Sequence, residues 1–299
     1  VRRDASSAGE TRGVSAYAVY GHGTVAATRE RRWRARLPAL TLIGALLVTA
    51  VASTFVGWSA HRAQVAHFDN AVESARDRVR DRLDVYTGLL YGARGLFAGS
   101  GEVTADDFRR YVERLELERS FPGVLGIGYS RWLNPPGAPT DSAALLAALR
   151  SVGSSADSLW PRTPRAEYHA ITYLEPDTRR NRAALGYDMG TDATRRAAME
   201  RARDTGSPAA SAVVRLKQEV EAEAQPGFLV YMPVYAGGAT PSDVAERRTA
   251  LRGFVYAPFR ARDLFRGIFG SERQPRVAFR VYAGNAAAPG ALLYASEGT

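Results

Sequence analysis

Apolar and polar residues are distributed along this chain in three regimes. Leu37 to Trp58 is an uncharged run of 22 residues, and nothing later is comparably apolar over such a length. At ~1.5 Å rise per residue it makes a helix of about 33 Å, enough to cross a hydrocarbon core of about 30 Å. The apolar residues then thin to a stripe: Val65, Phe68, Val72, Ala75, Val79, Leu83, Tyr86, Leu90, Ala93 and Phe97 recur at steps of three and four. These are coiled-coil intervals, with one extra step of four between Val79 and Leu83. Charged residues from Glu73 to Arg82 lie between them. The pattern predicts a stalk helix that packs on its own domain or pairs with a second copy, ended by Gly95, Gly99 and Gly101.

Beyond the glycines short elements alternate. Thr104 caps a predicted helix over Ala105–Leu117, with Phe108, Tyr111, Val112 and Leu115 as its apolar stripe. Val124–Trp132 and Tyr168–Leu174 are rich enough in β-branched and aromatic residues to be strands, with a helical stretch near Ser142–Arg150 between them. Asp192 caps a helix over Ala193–Asp204, which Gly206 and Pro208 terminate. Strands follow at Ala209–Lys217, Gly227–Tyr235 and Leu251–Phe259, then a short helix at Asp263–Ile268 and strands at Val277–Tyr282 and Ala291–Ser296. The near-continuous apolar character of residues 228–234 predicts a strand buried on both faces. Helices segregated to one side of an antiparallel sheet, twice over, give an α+β architecture.

Charge sets the orientation. Arg29, Arg31, Arg32, Arg34 and Arg36 stand immediately before the apolar run, which puts the N-terminus in the cytoplasm and residues from 59 onward outside it. An Ala-Val-Ala-Ser sequence at Ala50–Ser53 would suit a signal-peptide cleavage site, but the long lead before the run favours an uncleaved anchor. The net charge of +9 invites a nucleic-acid reading. It is discounted, because Lys217 is the sole lysine among 40 basic residues and the outer arginines alternate with acids, as in Glu200–Asp204. No nucleic-acid partner is expected. There is no cysteine, hence no disulfide and no thiolate metal site.

Little else carries chemistry. Gly21–Ala26 formally fits a dinucleotide fingerprint but lacks the following strand and acidic residue, and reads as a glycine-rich linker. The histidines His22, His61, His67 and His169 show no metal spacing, and neither a metal nor a cofactor is expected. His169 on a strand could serve as a base, yet no nucleophile motif accompanies it. The chain starts at Val1 and stops at Thr299 with no terminating feature, so it is expected to be a fragment.

One cluster is informative in order and spacing: Ile171–Asp177, Asn181, Leu185–Met189, Arg195–Gly206 and Pro226–Tyr235, extended by Phe121–Tyr129 and Gly253–Phe259. Across about residues 70 to 280 the chain resembles the CHASE domain, the extracytoplasmic sensory module of bacterial receptors and of plant cytokinin receptors. The resemblance implies a stalk helix carrying two PAS-like α+β subdomains, with a small organic ligand bound in the membrane-distal one. The domain map it implies is a cytoplasmic tail (1–36), a transmembrane helix (37–58), a stalk (59–98), a membrane-distal ligand-binding subdomain (99–258) and an incomplete membrane-proximal one (259–299).

It also implies site residues. Asp188 matches the aspartate that bonds the ligand's ring in cytokinin receptors, Ala210 lies near a position whose backbone contributes, and Glu219 falls near a third polar contact. Read from the residues alone, Asp188 is equally a turn residue between Gly186 and Gly190. Tyr231 and Met232 are further ligand candidates, although neighbours on one strand face opposite ways and both suit a core. The implied output is a histidine kinase of a two-component system or, less often, a diguanylate cyclase. Two other readings stay open: a dimerising module whose stalk is its purpose, and a tethered exported enzyme using His169 and Asp188.

Overall fold

The computed structural model describes residues 24–100, 102–133, 142–162, 165–218, 225–270 and 278–296. The expected fingerprint at Gly21, the candidate Glu219 and the start of the strand at Val277 lie outside them. Helix α1 spans Thr24–Gly99. The chain divides into two compact units, which meet between His67 and Phe68.

In the first unit the apolar run is helical and exposed along its length, and among the described residues it alone is long and apolar enough to cross a membrane. Four hydroxyls along it turn back on their own helix. Thr41 donates to the Pro38 carbonyl (2.9 Å), Thr49 to Ala45 (2.8 Å), Thr54 to Val51 (2.9 Å) and Ser59 to Val56 (3.0 Å). A hydroxyl satisfied in this way needs no water, which suits an apolar solvent. At the end of the run the Arg62 guanidinium lies 3.6 Å from the centre of the Trp58 ring, an aromatic and cationic pair of the kind that anchors a helix at a membrane interface.

The second unit is built on one antiparallel sheet. Its strands are β1 (Ile127–Leu133), β2 (Tyr168–Glu175), β3 (Ala209–Ala210), β4 (Gly227–Tyr235) and β5 (Leu251–Arg260), in the order β2-β1-β5-β4-β3. Strand alternation sorts the side chains onto two faces, both buried. On one, Met232, Val255 and Phe259 meet Tyr86, Leu90 and Ala93 of α1 together with Phe108 and Val112 of α2 (Ala105–Glu113). On the other, Leu229, Tyr231, Phe254 and Tyr256 meet Ala198, Met199 and Ala202 of a later helix. This explains why β4 and β5 carry no polar alternation: each side has its own core. Gly128 of β1 exists for the same packing, since a Cβ there would come within 2.6 Å of the Tyr256 ring.

The stalk stripe therefore divides. Ala75 to Phe97 packs on the chain's own sheet, with the Tyr86 hydroxyl donating to the Pro122 carbonyl at 2.8 Å, while Val65, Phe68 and Val72 remain exposed.

Six further α-helices follow α2 among the described residues. Helix α3 (Leu117–Ser120) is separated from α2 by a turn with Glu116 at φ 48°, where one continuous helix was expected. The break turns Leu117 into the core beside Val112. After α4 (Ser142–Arg150) and α5 (Arg179–Arg182), α6 runs Ala193–Thr205 with the Asp192 cap and Gly206 terminus that the sequence predicts. Helix α7 (Val244–Ala250) was not anticipated: it buries no residue, so no apolar stripe announces it, and Asp243 caps it. Helix α8 spans Ala261–Phe269.

Two strand expectations need correction. β1 begins at Ile127, with Val124 making only an isolated bridge to Phe259, and the expected strand over 209–217 pairs as β3 for two residues before a lone bridge at Val214. β5 runs without interruption through residues 258 and 259, because Phe259 pairs with Phe228 of β4. A separate hairpin, β6 (Arg280–Tyr282) and β7 (Leu292–Ala295), lies against α8.

Candidate functional site

The face of the sheet beneath α6 gathers polar atoms that a plain core would not contain. Asp188 is placed there by a short backbone ladder: Ile171 donates to the Tyr187 carbonyl (3.0 Å), Gly186 to Ile171 (2.9 Å) and Asp188 to Trp160 (2.8 Å). Residues 186–188 thus ride between β2 and Trp160. Only glycine serves at 186, which has φ 74° and no room for a Cβ because the Ser158 carbonyl fills that place.

The Asp188 side chain is fully buried. Its Oδ1 accepts the backbone N–H groups of His169 (2.9 Å) and Gly190 (3.0 Å). Its Oδ2 makes no hydrogen bond and stands 3.6 Å from Nε of Arg165. Burial pushes the carboxyl above the usual carboxylate range, against the pull of the two N–H bonds and of Arg165. Both readings of Asp188 are thereby present in one residue: one oxygen serves the turn, and the other faces the interior unbonded.

His169 is also buried, with its ring 5.5 Å from that of Phe254 and its Nδ1 unpartnered. Burial lowers its pKa to about 4, so it is neutral near pH 7. Asp188 bonds the backbone of His169 and not its imidazole, so the two side chains do not form the acid–base pair that a tethered enzyme using both would need.

Arg195, in the first turn of α6, is the largest fully buried side chain among the described residues. One Nη donates to the Arg215 carbonyl (2.9 Å), the guanidinium lies 5.3 Å from the centre of the Tyr187 ring, and Nε is 3.6 Å from Asp192 without a hydrogen bond. Lys217 approaches the same ring at 4.8 Å. Tyr231 donates to the Met189 sulfur at 3.5 Å, and its neighbour in the register, Tyr256, keeps a buried hydroxyl without a partner. Ser130, paired with Phe254 across β1 and β5, does the same. Burial raises both phenols well above their ordinary range.

Six buried side-chain polar atoms make no hydrogen bond among the described residues, and five of them belong to Ser130, His169, Asp188, Arg195 and Tyr256, those of Asp188 and Arg195 having only a 3.6 Å ion-pair contact. An unbonded buried polar group costs about 1–3 kcal/mol, so a cluster of them on one face marks either a large internal penalty or a place where something else supplies the bonds.

The sequence-derived candidates divide accordingly. Asp188 and Tyr231 share this face. Met232 does not: it lies in the core beneath α1, as strand alternation requires. Ala210 sits on the exposed edge strand β3 with its carbonyl taken by Arg201 (2.8 Å). Ser130, Arg165, Arg195 and Tyr256 were not anticipated. Arg195 had a signal: it occupies the first position of a stripe with Ala198, Met199 and Ala202, and an arginine on an apolar helix face has to find polar company inside. The others are brought in by register and by a loop, which the sequence leaves open.

The family model described as CHASE domain matches residues 101–294, well over half of the chain. No curated protein matches it.

Proposed function

We propose, from the premise that this chain belongs to the CHASE-domain family, that the face beneath α6 binds the small ligand of a transmembrane receptor. The domain is an extracytoplasmic sensory module of signalling receptors, and a helix able to cross a membrane precedes it. The observation that carries the ligand reading is the set of five buried polar atoms around Asp188, His169 and Arg195 that make no hydrogen bond. They combine a carboxylate acceptor, an imidazole nitrogen, a guanidinium donor and two hydroxyls, a set that orients an organic molecule carrying at least one N–H or O–H donor.

On this reading residues 1–36 are cytoplasmic, 37–58 span the inner membrane, and 99–258 form the membrane-distal ligand-binding subdomain, with a membrane-proximal one beginning at 259. The output is a histidine kinase of a two-component system, with a diguanylate cyclase as the alternative. Ligand binding would bias the position of α1 and so of the segment that enters the membrane.

Asp188→Asn tests the site. It keeps an oxygen for the two N–H groups but replaces the carboxylate oxygen that makes no hydrogen bond with a donor. A library of small organic compounds is screened by thermal shift on the full chain in detergent, and each hit is then titrated calorimetrically. Hits are expected to lose at least about tenfold in affinity in the variant, the loss of one charge-assisted hydrogen bond. Unchanged affinity for every hit would remove Asp188 from the site.

The receptor is further proposed to be a homodimer through the exposed stripe of α1. Because the chain has no cysteine, single cysteines report cleanly. Val72→Cys is expected to form a symmetric disulfide in membranes, whereas Val79→Cys, packed against the chain's own core, is not. Equal trapping at both positions, or at neither, counts against this dimer.

A further inference from the structure

Where α1 stops, a cleft of about 610 Å³ opens between its last turn and the end of the sheet. Neither Asp188, His169 nor Arg195 is among its lining residues. Phe97 to Ser100 and Glu102 supply one side, and β1 and β5 contribute Arg131 and Arg252. The volume falls in the range that holds a small organic molecule.

The rings of Tyr129 and Tyr173 form part of the lining, with Tyr129 stacked on Phe97 at 4.2 Å. Their hydroxyls are already engaged. Tyr129 donates to the Arg252 carbonyl (3.2 Å), and the Tyr173 hydroxyl lies 2.6 Å from the Val152 carbonyl and 3.0 Å from that of Val103. The Trp132 indole N–H is likewise used, on Glu167 (3.1 Å). These aromatics therefore bring apolar ring surface and no free polar group to the cleft lining.

The two guanidiniums are different. Among the described residues neither Arg131 nor Arg252 makes an ion pair or a side-chain hydrogen bond. Arg252 owes its place to an irregularity. Tyr235 pairs with Leu251 and Val234 with Gly253, so Arg252 is the extra residue of a β-bulge, a device that re-aims a side chain at a strand end. Arg131, two residues after Tyr129 on β1, shares that residue's face of the sheet. Two cations against the single acid Glu102 leave the lining net positive.

We propose that this cleft is a second binding site, taking a small organic anion: a carboxylate held by Arg131 and Arg252 on an apolar body that rests on the tyrosine rings. Guanidinium forks suit a carboxylate's two oxygens, and a flat apolar body gains area on aromatic faces. Glu102 and the carbonyl end of α1, both negative in potential, turn the carboxylate toward the strand side. The occupant would touch both the last turn of α1 and the sheet, tying the helix terminus to the domain.

The probe is 3-phenylpropionate, titrated calorimetrically into the full chain in phosphatidylcholine nanodiscs, with phenethylamine as the same ring carrying the opposite charge. Saturable binding of the acid and none of the amine is expected. The double variant Arg131→Gln, Arg252→Gln is expected to weaken it at least about tenfold, and Asp188→Asn to leave it unchanged. Amide exchange on the unsubstituted protein, independent of how any variant folds, should slow at residues 97–100 and 129–132 when the acid is bound. Absence of saturable binding, equal binding of the amine, an unaffected double variant, loss on Asp188→Asn or protection elsewhere would each overturn the assignment.

Discussion

Asp188→Ala is expected to destabilise the sensory domain by about 3 kcal/mol, because it strips the backbone N–H groups of His169 and Gly190 of their buried acceptor. Each such group costs about 1–3 kcal/mol when left unbonded, and removing a carboxylate held away from water returns part of that sum. For a unit of this size ~3 kcal/mol lowers the melting temperature by roughly 6–12 °C. Asp188→Asn keeps the acceptor and should stay within about 1 kcal/mol of the parent. Circular dichroism melts of the three proteins measure both effects. An alanine variant that melts with the parent would mean that Oδ1 does not hold the turn. The contrast also decides which substitution can report on a ligand: alanine confounds folding with binding, and asparagine separates them.

Acid is expected to unfold the same face through His169. Its pKa falls from 6.5 to about 4 on burial, with Arg165 and Arg203 adding to the effect and Glu167 opposing it. The unfolded chain therefore binds the extra proton first. The stability associated with a neutral His169 is complete above pH 6.5 and is lost progressively as pH falls through about 4. At ~1.4 kcal/mol per pH unit this amounts to about 3 kcal/mol across the window. Asp188 works with the opposite sign: its raised carboxyl pKa favours the folded state at low pH and gives that contribution up as pH rises past 3.8. Urea unfolding at a series of pH values between 7 and 4 should show the decline in the parent and a flatter profile in His169→Asn. Identical profiles would show that His169 is not buried in its neutral form.

How legible the molecule is in its sequence depends on the range of the interaction. The caps at Thr104 and Asp192 and the stops at Gly99 and Gly206 were readable because each bond joins residues within a few positions, and all four stand as expected. The turn at Glu116 was not, since its reason is the burial of Leu117 in a core assembled from distant helices. Strand β3 was overestimated because Ala209–Lys217 has strand composition but only two residues find a partner in β4. Tyr231 and Met232 could be placed on opposite faces from alternation alone. Which face held the unpartnered polar atoms could not.

The family was legible in the order and spacing of the clusters around Asp188 and Tyr231, and residues 101–294 match it. The polar set was only partly legible. Asp188 was singled out, but Ser130, Arg195 and Tyr256 converge with it only because β1, β5 and α6 are brought onto one face. The second cleft had no sequence signal at all, since a bulge is a mismatch between two strands and exists in neither strand by itself.

The sequence by itself determined the apolar helix, the α+β class and the local ends of most elements, because those depend on periodicity and on bonds between near neighbours. The tertiary structure alone decided that the α1 stripe from Ala75 to Phe97 is spent on the chain's own sheet and that Val65, Phe68 and Val72 are left over. An apolar stripe at steps of three and four records that a surface must be buried. What buries it is set by which other surface the folded chain brings within reach.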